Sequence, residues 1–130
     1  MTYFIALFFA ISSVFSFVVG SPVPATNYPL AKRASAPGRG TWFDVGLGAC
    51  GKTNVNSDAI VAIPASVYSG GSHCDQTVSI KNNANGKSTT ATVRDECPSC
   101  GSNDLDMSPS VFSSLGDLNA GVLDITWDFN

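Results

Sequence analysis

TVSIKNNANGKSTTATVRDECPSCG, residues 77–101, is the stretch that sets the fold class. Thr77 to Lys81 alternates with a period of two, Ser88 to Val93 does the same, and Asn85-Gly86 between them is a pair that favours positive φ. Two alternating runs about such a pair predict a β-hairpin. Its second arm ends in Arg94 and Asp95 and gives way to a turn, Cys97-Pro98-Ser99-Cys100-Gly101. Carboxylates delivered at a strand end beside that turn are positioned groups.

Downstream, Asp104-Leu105-Asp106 leads into Ser108, a natural N-cap, with Pro109 at the first helical position. Val111, Phe112 and Leu115 fall on one helical face, and Gly116 is the expected stop. The last run, Val122 to Phe129, sets Val122, Asp124, Thr126 and Asp128 on one face and Leu123, Ile125, Trp127 and Phe129 on the other, a strand half buried against a core. Phe112, Trp127 and Phe129 are assigned to that core. Upstream, Ala34 to Arg39 reads as a polar lead and Gly40 to Asp44 as a short strand, breaking into a loop that carries Gly46, Gly48 and Gly51. Ala59 to Ile63 is a buried strand, and Pro64 to Tyr68 is one helical turn closed by Gly70-Gly71. Five or six short strands with little helix make a mostly β domain, a closed barrel.

Before this domain, residues 4–19 form an apolar block followed by small residues, so 1–20 is expected to be a signal peptide. An uncleaved membrane anchor is the alternative, against which stand the block's length and the lack of a basic flank. Residues 21–33 are a Pro-rich leader ending in Lys32-Arg33, a dibasic pair that reads as a processing site or, failing that, as two solvated charges. Cleavage there leaves 34–130, 97 residues with five basic and ten acidic groups, a net charge of −5. Such a surface argues against nucleic acid and, after processing, against an anionic membrane as partner. It suits a polysaccharide or another protein. Four cysteines in an exported chain of this size fit two disulfides, with three connectivities open by count.

Ala49-Cys50-Gly51, Asn85 to Ser88, the run from Thr90 to Gly101, and Asp104 to Ser108 together resemble the six-stranded double-psi β-barrel domains. These include barwin, the first domain of expansins, rare-lipoprotein-A-like proteins and small inverting endoglucanases. The overall layout is similar to secreted fungal members, and the resemblance covers roughly Gly40 to Phe129. It implies pairing of Cys50 with Cys74 and of Cys97 with Cys100. Asp106, before Met107-Ser108, sits where expansins carry an aspartate that is the general acid of the endoglucanases, although Asp104 stands where expansins have histidine. Asp95 resembles an aspartate of the transglycosylase-like members, and Asp44 resembles the endoglucanase base.

Inverting hydrolysis needs one protonated carboxyl and a second that activates water, so Asp106 as acid and Asp44 as base is a chemically complete pair. The plainer expectation is that Asp104 and Asp106 organise the turn before the helix and that Asp44 bonds loop amides. Sugar binding would use Asp106, Asp104, Asp95 and Asp44, with Trp42, Phe43 or Tyr68 as stacking rings. The leading reading is an extracellular monomer that binds cell-wall polysaccharide without hydrolysis. The others are a glycoside hydrolase or lytic transglycosylase using Asp106, and a protease inhibitor or host-interacting effector. No cofactor is expected: a Pro-Ser turn stands where a redox Cys-x-x-Cys wants a helix N-terminus, zinc lacks a second close ligand pair, and no dinucleotide fingerprint occurs.

Overall fold

The hairpin forms as its alternation demands. Strand β3 (Thr77–Asn82) pairs antiparallel with β4 (Ser88–Cys97), Val78 opposite Ala91, with Gly86 at φ 74° in the turn. Val78, Ile80, Ala91 and Val93 are all buried on the inner face. The computed structural model describes residues 35–130; the expected signal peptide, leader and dibasic site lie outside the described residues.

Around the hairpin stand β1 (Gly38–Trp42), β2 (Ile60–Pro64), β5 (Leu105–Met107) and β6 (Leu123–Phe129), closing into a six-stranded barrel in the order β1-β5-β2-β4-β3-β6. Two of the pairings, β1 with β5 and β2 with β4, are parallel, and the rest are antiparallel. Closure leaves no free sheet edge. Helix α1 (Ala65–Tyr68) follows β2, and α2 (Pro109–Leu115) follows β5 and buries Val111, Phe112 and Leu115, the face read from the sequence. Phe112, Leu115, Met107, Ile63 and Ile125 are fully buried in the one core.

Cys50 pairs with Cys74 and Cys97 with Cys100, as the resemblance implied. The first bridge ties the glycine-rich loop after β1 to the segment after α1. The second closes the turn after β4.

Three local expectations differ from what the chain does. Strand β1 begins at Gly38, inside the stretch read as a polar lead, because Gly38 and Arg39 find partners in Ile125 and Asp124 of β6. A side chain at Gly38 would place its Cβ 1.8 Å from the Asn103 carbonyl oxygen, so that approach requires glycine. Ser108 occupies the N-cap position without a capping bond; its hydroxyl lies 3.4 Å from the Ile60 amide of β2 instead. Gly116 ends α2 in extended backbone, not the left-handed form, and what it supplies is room: a Cβ there would meet Leu123 at 2.9 Å.

Asn82 is a buried polar residue. Its Nδ2 donates to the Leu115 carbonyl and its Oδ1 accepts from the Ala84 amide, joining the hairpin turn to the end of α2.

Candidate functional site

The site is assembled by register. On the outer face of the barrel, Thr41 of β1 lies opposite Asp106 of β5, Asp106 opposite Ala62 of β2, and Ala62 opposite Asp95 of β4. Directly paired residues share a face, so these four form one row across four strands. The row depends on a β-bulge: between Val61 and Ala62 the β2–β4 register skips Arg94. Without that extra residue Asp95 would fall out of line. The bulge is held from outside by the Cys50 amide, which donates to the Arg94 carbonyl at 3.2 Å, and by an Arg94–Asp75 ion pair at 2.8 Å.

Asp106 is half-buried, and its Oδ1 accepts from the Thr41 hydroxyl at 2.9 Å. Burial pushes its carboxyl above the usual carboxylate range; bonds from Thr41 and the Met107 amide pull it back in part, and the negative charge of Asp95 adds to the rise. Asp104, two residues earlier on the same face, ties the wall together. Its Oδ1 accepts from the Arg39 amide at 2.8 Å and its Oδ2 from the Gly101 amide at 2.9 Å. Between these groups lies a recess of about 120 Å³ lined by Arg39, Thr41, Cys97, Ser99, Cys100, Asp104 and Asp106. The Cys97–Cys100 turn is one of its walls.

The other sequence-predicted residues fall elsewhere. Asp95 belongs to the row, but its Oδ1 accepts from the Ala49 and Glu96 amides, both at 2.8 Å, so it secures the glycine-rich loop. Asp44 lies in that loop and accepts from the Asn56 side chain at 2.9 Å. Trp42 follows Thr41 and faces the other side of the sheet, its indole N–H donating to the Leu118 carbonyl. Tyr68 packs against the core, its hydroxyl 3.6 Å from Cys74 Sγ. Neither ring lines the recess. Thr41, Arg39 and Ser99 were not singled out as site residues in the sequence; period-2 alternation puts Thr41 opposite in face to Trp42, but only the parallel β1–β5 pairing brings it to Asp106. Among the described residues no group of three or more His, Cys, Asp or Glu side chains is placed to hold a metal ion.

Comparison with known proteins places this architecture. A family profile described as lytic transglycolase matches residues 35–127. The chain belongs to this family of double-psi β-barrel domains. Family members similar to it include the papain inhibitor of Streptomyces mobaraensis, 36% identical over 81% of this chain and 77% of that protein. The allergen Asp f 7 of Aspergillus fumigatus is 37% identical over 78% of this chain but only 39% of its own length, so the chain spans well under half of that relative. Among solved structures, an expansin variant of Clavibacter michiganensis in complex with cellohexaose superposes with a TM-score of 0.66 at 26% identity, covering 74% of this chain and 50% of that one. The Streptomyces papain inhibitor superposes at 0.63 and 33% identity, covering 75% of this chain and 96% of its own. Among the described residues no helix is long and apolar enough to cross a membrane.

Proposed function

We propose that this barrel is exported and binds a cell-wall polysaccharide in the Asp106 recess without hydrolysing it. The observation that carries the reading is Asp106: a half-buried carboxyl, fixed by Thr41 in an open recess and biased by burial toward its protonated form. A carboxyl so fixed offers acceptor oxygens to sugar hydroxyls. Sugar binding by a relative of the same fold, the expansin held in complex with cellohexaose, supports the ligand class. Absence of hydrolysis is supported by where the second carboxylates lie: Asp95 Oδ1 accepts from two amides and Asp44 Oδ1 from Asn56, and neither residue lines the Asp106 recess, where a water-activating base would have to stand. Retention of the purified domain on cellulose, chitin and pectin tests the proposal, with Asp106→Asn and Thr41→Val expected to weaken it. No retention on any of these polymers ends it. Release of glycan fragments that disappears in Asp106→Asn would instead establish the enzyme reading, with Asp106 as acid.

A second reading, inhibition of papain-like proteases, is favoured by one observation. The papain inhibitor is matched along 77% of its sequence and 96% of its solved chain, so this barrel corresponds to nearly all of that structure. Titration against papain decides it, and inhibition there should be indifferent to Asp106→Asn.

A further inference from the structure

The loop after β4 has two sides. Cys100 and Asp104 face the Asp106 recess, whereas Ser102 and Asn103 border a separate groove of about 440 Å³, completed by Ser35, Ala36, Val67, Trp127, Asp128 and Phe129. That volume lies within the range of about 300–1,000 Å³ typical of small-ligand sites.

Both aromatic rings there are assigned by alternation to the core. Trp127 is opposite the buried Ile80, and Phe129 opposite the buried Val78. Each packs on the core yet remains half-buried among the described residues, at the groove that Ser35 and Ala36 also border. They are also held still. The Trp127 indole N–H donates to the Asn103 carbonyl at 2.9 Å, Phe129 meets Trp127 edge to face, and the His73 ring stacks on Phe129 at 4.3 Å. A ring whose only donor is already satisfied presents its face without losing further rotamer freedom. The side chains of Ser102 and Asn103 make no hydrogen bond to another described residue, and both border the groove.

We infer that this groove is a second sugar site, in which an uncharged pyranose stacks on Trp127 while Asn103 and Ser102 bond its hydroxyls. An apolar floor with a hydrogen-bonding rim matches the two faces of a pyranose. The site does not rest on the Asp106 reading, since the loop that walls one recess separates it from the other.

The chain has two tryptophans, so Trp42→Phe leaves Trp127 as the sole indole reporter. Titration of that protein with cellohexaose and with chitohexaose should give a saturable change in tryptophan emission with at least one of them. Asn103→Ala keeps the carbonyl that pins the ring and, like Ser102→Ala, should weaken affinity about fivefold or more, the equivalent of one lost hydrogen bond. Asp106→Asn should leave the emission response in place even where polymer retention is lost, so the two proposals fail separately. A flat titration with both oligosaccharides overturns the inference, as does a response to hexaproline in place of sugar, or one that both rim variants leave intact.

Discussion

Removing the two disulfides one at a time should separate stability from binding. The Cys50–Cys74 bridge closes a span of 24 residues and Cys97–Cys100 a span of 3. Chain-entropy arithmetic for these loops gives a loss of about 3.5 kcal/mol for Cys50→Ala with Cys74→Ala, and about 1.6 kcal/mol for Cys97→Ala with Cys100→Ala. For a domain of this size each kcal/mol lowers the melting temperature by about 4–8 °C, so the long bridge should cost about 14–28 °C and the short one about 6–13 °C. Thermal and urea melts followed by far-UV circular dichroism measure both. Ligand retention should rank the pairs in the opposite order. The short bridge is a wall of the Asp106 recess, so its loss should weaken retention on polysaccharide at a temperature where the variant is still folded; loss of the long bridge, assayed equally cold, should weaken it less. If the short-bridge variant proves the less stable, the entropic account is wrong for this barrel. If its retention is untouched, the turn is no wall.

Asp106 titrates above its ordinary value in the folded chain, so the folded state holds its proton more tightly than the unfolded one. Its contribution is therefore complete below the unfolded value near 3.8 and lost as pH rises through the folded pKa; Asp106→Asn should remove that decline and be no less stable than the parent at pH 7, as urea melts across pH will show. Asp58 has the opposite sign: bonds from the Val55 amide and the Asn54 side chain lower its pKa, so its contribution is present above 3.8 and fades as pH falls through the folded value, and Asp58→Asn should flatten the acid side of the same profile. Gly48→Ala would set a Cβ 2.3 Å from the Arg94 carbonyl oxygen, backbone against backbone, and should cost about 1–3 kcal/mol in a denaturant melt. Asn82→Ala removes a buried side chain that joins the hairpin turn to α2, and should cost about 1–3 kcal/mol by the same measurement.

What the sequence disclosed was local order. The hairpin, the buried run in β2, the apolar face of α2 and the alternation of β6 each follow from a repeat within a few residues, and all are present. Strand β5 has three residues, Leu105–Met107, too short for a period to declare itself, and it exists because β1 and β2 flank it. The candidate site is legible only in part for the same reason. Asp106 and Asp104 stand out as carboxylates before a helix, but their neighbours Thr41 and Arg39 arrive through pairings more than 60 residues distant. The bulge at Arg94, which aligns Asp95 with Asp106, has no composition signal. Trp127 and Phe129 do pack on the core, as alternation requires, but alternation reports only which face a side chain takes and not how completely it is covered.

The barrel order also carries a consequence for synthesis. Strand β1 pairs only with β5 and β6, its Gly38 lying opposite Ile125. At about 5–20 residues per second, a ribosome takes roughly 4–17 seconds to make the 87 residues between those partners. Throughout that interval β1, the first of the described strands, lacks its β6 partner, and its other partner, β5, is not made until Leu105–Met107. Cooperative closure must therefore wait until the carboxyl-terminal strand has been made, and a nascent chain stalled short of Leu123 should remain unprotected against protease however complete its hairpin.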